Sequence, residues 1–308
     1  MNIFLSRTYS FCQLGQRKNQ EDARFPDMDI IDKRQCFFVV CDGVGGSEKG
    51  EVASATVCQS FQDSLSEVDL ASMIFDEDCF SQVLDAAYDA LDGKANSQNR
   101  DMATTMTFVC FHQGGCMMAH IGDSRIYQVR PGQGIIYRSE DHSLVTSLVR
   151  AGVISPDQAV DHPQSNVITR CMEPKQPDRE RCMAMVFNTE DVRKGDYFFL
   201  CTDGVLHRIS DNSLEDILTS NRSNQEKMDS MASLCMDSPD NNTAILIQVA
   251  GVEEDEEQAD DSQNGNPRTQ LIQRGKCSSV ELSSEPDTKD GFWGWIKKKL
   301  FNSYLSSG

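Results

Sequence analysis

CFFVVCDGVGG, residues 36–46, decides how this chain is read. Residues 36–41 are apolar without a break, and the run ends at once in Asp42 and a glycine-rich turn. A continuous apolar run bounded in this way predicts a buried strand followed by a tight turn. A carboxylate at the mouth of a buried strand is costly unless something neutralises it. Similar settings surround Asp123 in MAHIGDSRIY, Asp203 in FFLCTDGVL and Asp240 in SPDNNTAILIQV. Taken alone, DGVGG is better read as a turn with a solvated aspartate. Taken together, four such carboxylates from distant segments point to hard divalent cations that gather them through oxygen ligands. Two cations sharing a carboxylate can activate a water and stabilise charge on a phosphoryl oxygen.

Around this stretch, apolar spacing predicts helices over 50–65 and 80–92. Strands are predicted over 104–112, 116–122 and 124–130, with Gly114-Gly115 as a hairpin signal. A short helix over 143–152 is stopped by Gly152, and Ser155-Pro156 begins another. A strand over 196–203, a helix to about 219 capped by Ser210 or Asp211, and a strand over 243–250 complete the pattern. Consecutive strands with helices set apart predict an α+β domain with two packed sheets. The predicted catalytic domain spans 1–250, followed by an acidic linker over 251–290 that reads as disordered and a distinct tail over 291–308.

The tail sequence GFWGWIKKKLFNSYL holds both tryptophans, Trp293 and Trp295, beside three lysines. On a helix, Phe292, Trp293, Ile296, Leu300 and Tyr304 share one stripe, while Trp295 and Phe301 fall off it. Such a segment, residues 292–305, is expected to dock on a membrane surface or on a partner.

The net charge of −19, from 48 acidic and 29 basic residues, argues against binding nucleic acid, which needs clustered cations. Twelve cysteines without a CxxC pair read as buried reduced thiols rather than a zinc site. With no basic leader and apolar stretch at the start, the chain is expected in the cytoplasm, at the inner face of the membrane if the tail anchors there.

The string RKNQED places Arg17 near Glu21 and Asp22. In isolation it is a charged surface turn. Beside a metal cluster, the guanidinium of Arg17 suits a substrate phosphate, and the two acids suit a supporting layer around the metals.

RKNQEDA, VVCDGVGG, ATTMT, IGDSRIY, DHSLVTSLVRAGVISPDQA, HPQSNVITR, FFLCTDGV and DNNTAILIQV occur in one order from residue 17 to residue 249. In that order the chain resembles the metal-dependent protein phosphatases of the protein phosphatase 2C type, in their bacterial form. The resemblance implies a central antiparallel β-sandwich flanked by α-helices in four layers, α-β-β-α. It implies a serine/threonine phosphatase acting on phosphoproteins made by a Ser/Thr kinase, through a water activated by two Mn²⁺ or Mg²⁺ ions. Asp42 would bridge both metals, the Gly43 carbonyl would add to one, and Asp203 and Asp240 would complete the other. Arg17 would bind phosphate and Asp22 would hold water on the metals. Asp123 matches the ligand of a third, weaker metal, and residues 141–170 match a flap beside the active site.

Two positions depart from the pattern. Val44 stands where many eukaryotic members have a histidine, and His207 stands where many members have an aspartate. The second puts the third metal in question, and His207 is either a loop residue or a proton donor to the leaving oxygen. The rival to an enzyme is a catalytically weak binding module targeted by the tail.

Overall fold

The structure is a computed structural model, and it describes residues 1–28, 30–31, 35–44, 49–96, 100–160 and 162–253. The linker and tail, and Gly45 and Gly46 of the opening stretch, lie outside the described residues. Met1–Glu254 forms one compact unit.

Among the described residues two antiparallel sheets make the centre. The larger runs β11 (Gly134–Arg138), β10 (Arg125–Arg130), β13 (Tyr197–Cys201), β14 (Asn242–Glu253), β2 (Thr8–Gln13) and β4 (Ile30–Ile31). Strand β1 (Asn2–Leu5) pairs with the far half of β14. The smaller sheet runs β12 (Met185–Thr189), β9 (Gly115–Ile121), β8 (Met106–His112), β5 (Phe37–Cys41) and β3 (Ala23–Phe25). A ribbon of β6 (Gly43–Val44) and β7 (Ala103–Thr104) sits at the mouth of β5.

Why β5 is apolar throughout follows from what covers each face. Side chains alternate across a strand. Phe38 and Val40 face the larger sheet and meet Phe198, Leu200, Ile245 and Ile247 in one buried cluster. The outer face of the smaller sheet is covered by α1 (Gly50–Leu65) and α2 (Glu77–Lys94). There Phe108 of β8 packs against Phe61 of α1 at 5.1 Å and Phe80 of α2 at 5.5 Å between ring centroids. With both faces dry, neither can be polar.

The other side of the sandwich repeats the arrangement. Tyr127, Phe199 and Leu246 on the outer face of the larger sheet pack on Leu214, Leu218, Met228 and Met231. Those four belong to α6 (Asp211–Thr219) and α7 (Asn224–Cys235), reached through the short α5 (Asp203–Leu206). The order of layers is therefore helix, sheet, sheet, helix, as the resemblance implied. Between β11 and β12 a separate segment carries α3 (Leu144–Arg150) and α4 (Pro156–Val160). Ser143 caps α3 and Ser210 caps α6, each accepting from a backbone N–H. Among the described residues no helix is long and apolar enough to cross a membrane.

One buried ion pair ties the larger sheet together at its far end. Asp196 is wholly buried and accepts from Arg130 Nε and Nη2, each at 2.8 Å, and from Gln128 Nε2 at 3.0 Å.

Candidate metal centre and active site

The catalytic candidates converge because strands of both sheets end at one pole. β5 runs out at Asp42, β9 at the loop holding Asp123, and β13 at Asp203, while Asp240 precedes β14. Asp42 is fixed by its backbone. Its N–H donates to Thr105 Oγ1 at 2.9 Å, and its carbonyl accepts from Thr105 N at 2.8 Å and Thr104 Oγ1 at 2.9 Å. Gly43 follows where no side chain fits: a Cβ would stand 2.4 Å from the Gly50 carbonyl carbon and 2.6 Å from the Glu21 oxygen. That contact seats the start of α1 and the Glu21–Asp22 segment against the Asp42 turn.

The N-terminal string is drawn in by Asn241. Its Oδ1 accepts from the Glu21 N–H at 2.8 Å, and its Nδ2 donates to the Leu14 carbonyl at 2.9 Å. Arg17 Nη2 reaches Asp240 Oδ2 at 2.5 Å, with the Arg17 side chain about half exposed. Asp22 is buried and accepts from Thr202 Oγ1 at 3.0 Å. His207 Nε2 is 3.7 Å from Asp203 Oδ2.

The carboxylates feel one another strongly. Burial raises Asp42 well above the ordinary carboxylate range, and the fields of Asp22, Asp203, Asp123 and Asp240 raise it further. Burial also pushes Asp22 and Asp123 up to about 7, with Asp203 adding to both. Burial opposes ionisation of Asp203 too, yet the neighbouring His207 imidazole outweighs it and holds Asp203 below its usual value.

Three oxygens in the cluster want a partner. Oδ1 of Asp22, of Asp123 and of Asp203 is each buried with no hydrogen bond among the described residues. A buried carboxylate oxygen without a donor is costly. An all-oxygen donor set, orphaned oxygens and mutual repulsion together fit hard divalent cations. Among the described residues no three acidic, histidine or cysteine side chains already stand as a closed cage. Two carboxylates of the cluster are engaged otherwise: Asp240 with Arg17, and Asp203 with His207.

A groove of about 970 Å³ opens beside this pole. Asp123, Asp203 and His207 form one wall, and Val145, Thr146 and Val149 of α3 line another. The flap that supplies the second wall closes on itself: Ser143 and Ile168 form an antiparallel bridge, and Thr169 N–H donates to the His142 carbonyl at 2.8 Å. Asp141 at its base is gripped by Arg125 through two bonds of 2.6 and 2.7 Å.

Arg17, Asp22, Asp42, Gly43, Asp123, Asp203, Asp240 and His207 all lie at this pole. The supporting residues Thr105, Thr202 and Asn241 were not singled out from the sequence. Asn241 had a signal, since an Asx residue after an aspartate before a strand is a turn former that can bond distant backbone. The two threonines had none.

A family model described as protein phosphatase 2C matches residues 15–240. Protein phosphatase PhpP of Streptococcus pneumoniae is 29% identical over 219 residues, covering 69% of this chain and 85% of PhpP. The crystal structure of serine/threonine phosphatase Stp1 from Staphylococcus aureus is similar with a TM-score of 0.69 and 27% identity, covering 82% of this chain and 98% of Stp1. The catalytic domain of serine threonine protein phosphatase PstP, solved with two manganese ions, shares the fold at 24% identity and a TM-score of 0.64, covering 81% of this chain and 100% of that domain.

Proposed function

Because this chain belongs to the protein phosphatase 2C family, we propose that the carboxylate pole is a phosphatase active site and that its residues divide the work as follows. The protein is a metal-dependent serine/threonine protein phosphatase. Asp42, Asp203 and Asp240 would hold two divalent cations, Mn²⁺ or Mg²⁺, with the Gly43 carbonyl as a further ligand. Bound there, the cations supply an activated water as nucleophile and neutralise charge on the phosphoryl oxygens. Asp22, held by Thr202, has one buried oxygen without a partner and would orient water beside the metals. Arg17 gives Nη2 to Asp240 and presents its remaining guanidinium edge to the phosphate. Asp123 offers an orphaned oxygen for a third cation. His207, on the groove wall, gives a proton to the departing serine or threonine oxygen.

The observation that carries this reading is the set of buried, unpartnered carboxylate oxygens gathered at the mouths of three strands. The deciding experiment is Mn²⁺-dependent release of phosphate from a phosphothreonine peptide. Asp42→Ala and Asp203→Ala are each expected to abolish it, and an unchanged rate in either sinks the two-metal assignment.

We also propose the division into a catalytic domain over 1–250, an acidic linker over 251–290 and a targeting tail over 291–308. Substrates are proteins phosphorylated by a Ser/Thr kinase. The Trp-Lys composition of the tail supports docking on an anionic membrane surface or a partner. Since both tryptophans lie there, emission that does not change with anionic vesicles removes the membrane version.

A further inference from the structure

Two histidines with no part in the proposed chemistry stack face to face at the base of the flap. His120 is on β9 and His142 opens the flap, with ring centroids 4.7 Å apart and planes 11° from parallel. Both are buried, at 1% and 8% exposure.

Their hydrogen bonds assign the tautomers. His120 Nε2 lies 2.8 Å from the Glu140 carbonyl, which only accepts, so this nitrogen carries the hydrogen. The Gly122 N–H donates to His142 Nδ1 at 3.1 Å, so that nitrogen is bare. The His142 N–H donates in return to the Gly122 carbonyl at 2.9 Å. Each ring thus reaches the backbone two residues from the other. The exchange leaves His120 Nδ1 and His142 Nε2 buried with no hydrogen-bond partner among the described residues. Unpaired buried polar atoms cost stability.

What the stack holds lies on both sides. Gly122 has φ +107°, and a Cβ there would stand 2.6 Å from Thr105 Cγ2, so the loop can approach this closely only as glycine. Thr105 Oγ1 accepts from the Asp42 N–H and shares a 2.7 Å hydrogen bond with Ser124 Oγ. Asp123 sits between Gly122 and Ser124. On the flap side, His142 precedes Ser143, the cap of α3, whose residues line the groove. One continuous set of contacts therefore runs from the Asp42 backbone to the far wall of the groove.

We infer that the His120–His142 stack is a clasp that sets the flap against the Asp123 loop, making both histidines positioning residues for phosphopeptide binding. This inference rests on the phosphatase reading of the groove. A peptide spans the groove and meets α3, whereas a small aryl phosphate occupies only the carboxylate pole.

The test compares wild type, His142→Ala and His142→Asn, the last keeping an acceptor for the Gly122 N–H. kcat and KM are measured with a phosphothreonine peptide and with p-nitrophenyl phosphate, alongside limited proteolysis of residues 151–170. His142→Ala is expected to raise the peptide KM about tenfold, with kcat/KM for p-nitrophenyl phosphate changed less than about twofold. Cleavage of the flap should accelerate, and His142→Asn should recover most of both losses. An unchanged peptide KM, an equal loss on both substrates, or wild-type cleavage overturns the clasp. If His142→Ala does not fold, His120→Ala is read in the same way. In the wild-type protein the Gly122 amide should exchange slowly with solvent, and fast exchange overturns the clasp whatever the variants do. A wild type that hydrolyses neither substrate overturns the phosphatase reading, while exchange and proteolysis still judge the clasp.

Discussion

His207 replaces an aspartate expected from the family pattern, and its surroundings suggest what the replacement does. It lies on the groove wall with Nε2 3.7 Å from Asp203. In the role proposed above it would protonate an alkoxide leaving group, a need that an aryl leaving group does not have. His207→Gln is expected to slow hydrolysis of a phosphothreonine peptide by about a hundredfold while leaving p-nitrophenyl phosphate nearly untouched. Equal rates on the peptide would return His207 to the status of a loop residue. At this scale the sequence was readable wherever a residue type is chemically unusual in its place, as with Asp42 after six apolar neighbours or Arg17 among acids. It was silent on Thr105 and Thr202. A hydroxyl at the end of an apolar strand looks ordinary until folding brings Asp42 and Asp22 against it.

Elements were legible in proportion to their burial. The apolar spacing of α1 gives Gly50–Leu65, and the hairpin of β8 and β9 turns at Gln113 and Gly114, with Gly115 already paired to His112. β12 is an edge strand with Met185 and Phe187 exposed, and β1 and β3 are short, so none carries the apolar alternation that marks a strand. Helix α7 was overlooked although its start is written in the sequence. Ser223 and Glu226 form a reciprocal capping box, the spacing that signals a helix start. Its apolar face is thin, and the period alone did not reveal it. The Arg130–Asp196 pair gives a test at this level. Removing Asp196 takes the buried carboxylate from a nearly buried guanidinium, leaving Arg130 with the half-exposed Asp191 and the Gln128 amide with the Asp191 carbonyl. Asp196→Ala is expected to cost about 3–5 kcal/mol in urea unfolding, with metal binding retained by whatever remains folded. A loss under 1 kcal/mol would mean that Asp191 alone suffices for Arg130.

For the whole molecule, the acid-sensitive groups sit at both poles. His112, at the end of β8 away from Asp42, takes the Phe75 and Gly114 N–H groups on its bare Nδ1. Burial lowers its pKa from 6.5 to about 4. The unfolded chain therefore binds a proton here that the folded chain refuses between these values. Stability from this group is complete above pH 6.5, declines as pH falls toward 4, and changes no further below that. Melting curves from pH 7 to 4 should show the Tm of the wild type falling relative to that of His112→Asn, since the raised carboxyls of Asp22, Asp42 and Asp123 act alike in both proteins. Parallel slopes would remove His112 as a contributor.

The self-closing flap has a consequence for how such a phosphatase can change its tastes. Since residues 143 and 168 meet side by side, the stretch between them is a handle with both feet on the same spot. Doubling the length of such a loop costs only about 0.6 kcal/mol in closure entropy. Insertions, or a graft from a relative, can therefore reshape the recognition wall while the acids beneath it keep their places. Diversification of substrate choice is thereby uncoupled from the chemistry.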